Sequence, residues 1–354
     1  MTRMPHRIVT QVNAFVRYVV IAFSVAFGLS GCATSQPDSQ IATNGTGSRE
    51  AELLSLLEAC RRQHSLDLSR EGLAGFMRDA ADARRFAEQQ RRRREGMQRA
   101  MDTYSRGVCL IHGAFTLKEQ LDGRLLPVED ADGEPLEFEY LGSGFLVDDR
   151  GCVLTNRHVA EPWWNNDTVT PLIARGLVPE FTRLSATFPG HAPIDVDPDT
   201  IQASRDGVDL AMFIVSTEAV PVLPLFEGDA RKLRGQGVML LGYPTGLSAL
   251  LARAEPDIAE EAMAAAVDTA SLIRELSVRN SVVPLATHGA LNDVTDGKLI
   301  YDAVTTSGGS GGPVFGPDGT VIGVNFAMVR GFQGSNFAVP IRFARPLVHE
   351  LRGP

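Results

Sequence analysis

The sequence predicts a predominantly β domain from about residue 106, preceded by a helical segment and by an N-terminus marked for export. Three observations carry this. Beyond residue 106, short alternating or apolar runs are divided by Gly, Pro, Asp and Asn turns. Residues 49–104 lack proline and repeat apolar side chains at helical spacing. The first 31 residues hold three arginines, no acid and the apolar run Tyr18 to Ser30. At 354 residues, 44% hydrophobic and 22% charged, the chain is neither wholly disordered nor a polytopic membrane protein. Its 34 glycines and 20 prolines exceed the average share and fit many tight turns. A formal net charge of −9 excludes nucleic acid as a main partner, because phosphate binding needs a cationic surface.

Arg3, Arg7 and Arg17 lead into an apolar run too short for a membrane span, which needs about 20 residues. The run ends at Leu29-Ser30-Gly31-Cys32, small residues before a cysteine, which resembles a bacterial lipobox. That resemblance implies cleavage after residue 31 and lipidation of Cys32, giving an exported, periplasmic, lipid-anchored protein. Ala33, where an Asp would favour inner-membrane retention, points to the outer membrane. Cleavage would take the charge from −9 to −12. Residues 32–48, rich in Ser, Thr, Gly, Asn and Gln, read as a flexible tether.

Residues 49–105 read as two or three helices with a break near Asp67-Leu68-Ser69. Leu53, Leu56, Leu57 and Cys60 form one apolar stripe, and Leu73, Phe76, Met77 and Ala80 another. The run Arg91 to Arg94 is surrounded by Glu88, Glu95 and Asp102, so a solvated stalk is the plain reading. Contact with anionic headgroups, or self-association into a homo-oligomer, is the sharper one.

The β region carries three chemical clusters. Gly142-Ser143-Gly144-Phe145-Leu146-Val147, a turn at residues 148–151, and Cys152 to Val159 read as a hairpin with His158 where its second strand ends. Asp209 stands where the apolar run Leu210 to Val215 begins. Thr305-Thr306-Ser307-Gly308-Gly309-Ser310-Gly311-Gly312-Pro313 lies between two strand-like runs, so it is not a linker. Glycines beside a serine let the backbone approach a substrate and aim N–H groups at one point. An imidazole that takes the serine proton, oriented by a buried carboxylate, completes a nucleophilic set. The same glycines satisfy G-x-S-x-G, but that elbow needs a helix after the serine and the order Ser, Asp, His, whereas this chain has Pro313 and the order His, Asp, Ser.

These segments, with GTVIGVNFA and NFAVPI after the serine, resemble the trypsin-type serine peptidases of the HtrA/Deg branch over about residues 106–351. The resemblance implies a chymotrypsin/trypsin-like fold of two β-barrels, about 106–225 and 232–354, in one peptidase domain, 106–354. It also implies a serine endopeptidase acting on exported or misfolded polypeptides, without a cofactor. Ser310 would be nucleophile, His158 base and acid, and Asp209 the orienting group, with Gly308 and Ser310 N–H as oxyanion hole. Thr305, Asn325, Phe326 and Ala327 would shape the specificity pocket, where no acid awaits Arg or Lys, implying a small or medium apolar preference. The alternatives are a latent or inactive protease-fold binding or chaperone-like lipoprotein, and a protein whose Arg-rich helices are the working part.

The chain departs from the family in several ways. The gaps of 51 and 101 residues between His158, Asp209 and Ser310 are long, placing extra material at 163–199 and 248–279. In the second, residues 258–264 and 269–278 read as helices, an insertion that is either a packing decoration or a lid. Gly309 precludes the zymogen ion pair that an Asp before the serine supports. The 44 residues after Ser310 leave room for a terminal helix, Arg342 to Leu351, and not for a PDZ domain. Cys109 and Cys152, expected on neighbouring strands, are either a disulfide or two buried thiols, and no Cys/His spacing suggests a metal site.

Overall fold

The computed structural model describes residues 70–121, 124–129, 132–328 and 335–352. The expected signal at 1–31, Cys32, the tether and residues 49–69 with Cys60 lie outside the described residues. The chain divides into two units, 1–78 and 79–354, and the second holds the β region.

Helix α1, Arg70–Asp102, is exposed along most of its described side chains and packs on the core only near its end. There Ala100 is fully buried and Met97 packs on the core. Tyr104, just beyond, stacks on Phe315 at 6.4 Å between ring centroids. Gly96 permits this contact, because a Cβ there would lie 2.4 Å from the backbone of Asp318.

The first sheet contains β1 (Val108–Leu121), β2 (Arg124–Pro127), β3 (Glu137–Leu146), β4 (Cys152–Thr155), β5 (Val178–Thr187), β6 (Ile194–Asp195), β7 (Gln202–Ala203) and β8 (Ala211–Ile214). Its order is β6-β5-β1-β3-β4-β8-β7, with β2 on β1. Among the described residues it curls into a half-barrel whose ladder does not close. Its two ends are strands of two residues each, which supply too little ladder to join.

The second sheet does close, as β10-β11-β14-β13-β12-β9. Its strands are β9 (Gly237–Gly242), β10 (Leu285–Val294), β11 (Leu299–Tyr301), β12 (Pro313–Phe315), β13 (Val321–Met328) and β14 (Asn336–Pro340). Between β9 and β10 lie three helices: α2 (Leu247–Arg253), α3 (Pro256–Ala265) and α4 (Thr269–Val278). Asp268 caps α4, its carboxylate accepting from Ser271 N–H at 2.7 Å, while Ser271 Oγ accepts from Asp268 N–H. Helix α5, Arg345–Arg352, ends the described chain. Mainly β, with a helix before it and a helical insertion in the second barrel, the architecture is the trypsin-like one expected.

One core joins the two sheets: Val108, Phe145 and Leu154 of the first pack in the same cluster as Met239, Phe315 and Val324 of the second. Cys109 and Cys152 are both buried, and no disulfide joins them. They do not sit on neighbouring strands as expected, because β3 runs between β1 and β4. Strand alternation then sends Cys152 toward the shared core and Cys109 into a separate cluster of the first sheet.

Candidate active site

His158 sits in a single helical turn, Arg157–Ala160, that follows β4 directly. The hairpin therefore delivers the imidazole to the edge of the first sheet. Asp209 lies just before β8, the strand paired with β4, so the ladder brings the two residues together across 51 positions. Asp209 Oδ2 and His158 Nδ1 are 2.8 Å apart, and Asp209 Oδ1 accepts the His158 backbone N–H at 3.1 Å. Asn156 fixes the other end of the acid by donating from Nδ2 to the Asp209 carbonyl at 2.9 Å. The imidazole is thus held in plane with Nδ1–H toward the carboxylate, which leaves Nε2 as the basic nitrogen.

Ser310 comes from the second sheet, on the loop between β11 and β12. Gly308 and Gly311 have φ of +90° and +86°, which L side chains rarely adopt, and a Cβ on Gly311 would lie 1.9 Å from the Ser143 carbonyl. Four consecutive carbonyls of this loop are tied down. Ser307 O accepts from Thr245 N–H at 2.7 Å, Gly308 O from Ser143 Oγ at 2.7 Å, and Gly309 O from Asn325 Nδ2 at 2.8 Å. Ser310 O accepts from Ser143 N–H at 2.8 Å. The N–H groups of Gly308 and Ser310 donate to no acceptor among the described residues. With the Ser307 carbonyl turned to Thr245, the trans peptide aims the Gly308 N–H the opposite way. Ser310 Oγ itself donates to the Phe326 carbonyl at 3.4 Å, a weak bond, rather than to His158.

Ser143 is the residue that sequence reasoning did not single out. Its hydroxyl donates to Gly308 O and accepts from Tyr243 N–H at 3.0 Å, and its carbonyl accepts from Thr155 Oγ1 at 2.7 Å. Fully buried, it ties the serine loop to both sheets. Its only trace in the sequence is a polar residue held between two glycines in an apolar strand.

Of the four residues expected to shape a specificity pocket, Thr305 and Asn325 are buried and bonded to each other, Asn325 Nδ2 to Thr305 Oγ1 at 3.2 Å. Tyr301 donates its hydroxyl to Asn325 Oδ1 at 2.6 Å, which leaves the amide oxygen occupied. Phe326 is half-buried, its ring 6.2 Å from that of Phe337, and Lys298 Nζ lies 5.9 Å and 5.3 Å from the two centroids. The side chain of Ala327 lies outside the described residues. No group of three or more His, Cys, Asp or Glu able to hold a metal occurs among the described residues.

Residues 142–324 match the family described as the trypsin-like peptidase domain. The chain is 28% identical to a "Probable periplasmic serine endoprotease DegP-like" of Halomonas elongata, over 63% of this chain and 37% of that one. It is 28% identical to a protein of the same name from Pseudomonas putida, over 61% and 36%. A "Putative serine protease HhoB" of Synechocystis is 29% identical over 59% and 40%. The chain therefore spans well under half the length of these relatives. A solved structure of the serine endoprotease from Yersinia pestis aligns over 72% of the chain and 65% of that one at 18% identity, with a TM-score of 0.44.

Proposed function

Since the chain belongs to the trypsin-like peptidase domain family, which covers more than half of it, we propose that it is a serine endopeptidase whose nucleophile, base and orienting acid are Ser310, His158 and Asp209. The observation that supports this most is the convergence from two sheets. The first sheet carries a paired imidazole and carboxylate, and the serine loop of the second, bonded to the first sheet through Ser143, offers two uncommitted N–H groups.

In this reading Ser310 Oγ swings from the Phe326 carbonyl toward His158 when a peptide binds. Oγ attacks the scissile carbonyl carbon while its proton passes to His158 Nε2. The oxyanion that forms is held by Gly308 and Ser310 N–H, which the carbonyl anchors described above keep pre-aimed. Collapse expels the amine, which takes the proton back from His158, and water repeats the sequence on the acyl-enzyme. Asp209 stabilises the imidazolium without accepting its proton. No step needs a cofactor. Thr305, Asn325, Phe326 and Ala327 bring no acid to the pocket, which supports cleavage after small or medium apolar side chains. Export to the periplasm through residues 1–31, a lipid on Cys32 and substrates among exported or misfolded polypeptides complete the proposal. The names of the DegP-like relatives support the compartment.

The test compares wild type with Ser310→Ala for labelling by a fluorophosphonate and for cleavage of a reduced, unfolded protein. Loss of both in the variant is expected, with cleavage down on the order of 10⁶-fold. Equal labelling of the two would remove Ser310 from the role. The 3.4 Å bond to Phe326 favours one second reading, a latent enzyme whose serine rests away from its base. Wild-type protein that neither labels nor cleaves would select it.

A further inference from the structure

Strand β5 carries an edge without a partner along most of its length. One side pairs with β1 from Val178 to Thr187. On the other, β6 pairs with Ser185 and Ala186, and Val196 N–H reaches the Leu184 carbonyl at 2.9 Å. Over residues 178–183 no strand among the described residues pairs with that outer side. Unpaired N–H and C=O groups on an exposed edge are a template for another strand. Val178, 42% exposed, and the exposed Thr182 and Arg183 show that the described residues do not cover it.

Helix α4 and residues 181–185 of β5, which overlap the open stretch at 181–183, line one groove of about 380 Å³. Phe181, Arg183 and Leu184 of β5, Ala270, Ile273 and Arg274 of α4, and the buried His112 of β1 line it. A strand edge facing a helix is an arrangement that seats an extended peptide. The edge supplies main-chain bonds and the helix supplies side-chain contacts.

The charges in the groove are unbalanced. Arg274 has no ion pair among the described residues, and Arg183 reaches only Asp268, at 3.8 Å. Asp268 is already committed as the cap of α4, which holds its carboxyl below the usual range through the bond from Ser271. Glu139 is bonded to His112 at 2.7 Å and to Thr269 at 2.8 Å. Asp195, at the β6 end, is the one acid lining the groove among the described residues. Two arginines therefore face a cavity that contains one acid. The ladder of β1 and β5 is irregular at Thr182, so the edge is bent and suits a short segment better than a continuing sheet.

We propose that this groove binds an extended polypeptide segment bearing an acidic side chain, added as a strand along the outer edge of β5 over residues 178–183 with its carboxylate at Arg274 and Arg183. The site is distinct from the serine loop and does not depend on the catalytic reading.

The experiment uses the full chain carrying Ser310→Ala, so that a probe is not consumed. The probe is a fluorescein-labelled octapeptide of alternating valine and glutamate, with a twin in which lysine replaces each glutamate. Fluorescence anisotropy is expected to show binding of the glutamate peptide at least tenfold tighter than its twin, and at least tenfold weaker binding by Arg274→Glu. Arg274 is exposed, so that variant should keep the melting temperature of its parent. Hydrogen exchange with the glutamate peptide should show new protection at 178–183 and 269–278. No binding at millimolar peptide, equal binding of both peptides, or protection confined to 305–310 and 325–328 would each overturn the proposal.

Discussion

Ser143 carries four hydrogen bonds with one small side chain and its backbone, and two of them fix carbonyls of the serine loop. Removing its hydroxyl frees the Gly308 carbonyl to rotate, and with it the peptide plane that follows. Ser143→Ala is expected to lower kcat on the order of 10²-fold with little change in KM, because the lost restraint matters where negative charge develops. A steady-state assay on a short peptide ester measures the split, and a rise in KM alone would make Ser143 merely structural. Asp148, beside the same hairpin, makes a different prediction. Burial alone would raise its carboxyl, but the N–H groups of Cys152 and Arg150, at 3.0 and 3.1 Å, and the Arg150 guanidinium hold it below the usual carboxylate value. A depressed folded-state value means its stabilisation is complete above about pH 4 and is lost as pH falls through the lower, folded value. Asp148→Asn should cost about 1–3 kcal/mol at neutral pH and flatten the acid limb of stability, read as urea midpoints from pH 2 to pH 7.

Among the elements, α1 offers a test of how closely it meets the turn before β13. A helical Gly→Ala exchange usually stabilises by about 1 kcal/mol. At Gly96 the added methyl would enter the backbone of Asp318, so Gly96→Ala should instead lower the melting temperature in calorimetry. Much of the element pattern was legible beforehand for local reasons. The hairpin from Gly142 to Val159 has alternating apolar residues around a Gly turn, and α4 begins at Thr269 and ends at Val278 as its spacing predicts. What stayed hidden depends on distant partners. Helix α2 packs through Leu250 after a Gly246 of φ +54°, a start without a capping side chain. The open first sheet follows from β6 and β7, too short for any periodicity to mark. The position of β3 between the two cysteine strands is a matter of pairing order, which spacing does not encode. His158, Asp209 and Ser310 stood out because local motifs surround them, whereas the partners of Ser143 are 100 and 165 residues away in sequence.

At the scale of the whole β region, the shared core binds the two sheets into one cooperative object. Tyr243 adds a polar link, donating to the Val108 carbonyl at 3.2 Å. Urea unfolding followed by the fluorescence of Trp163 and Trp164, which report the first sheet, should coincide with the loss of far-ultraviolet circular dichroism. Two separated midpoints would show that the sheets fold independently. The same core has a consequence for biosynthesis. His158 and Asp209 leave the ribosome long before Ser310, and the face that Val108, Phe145 and Leu154 present stays bare until Phe315, Val324 and Val339 arrive to cover it. A partly synthesised chain thus holds an imidazole and a carboxylate with no hydroxyl to activate. On the proposed mechanism, the nascent polypeptide is harmless to its neighbours until its last strands are made.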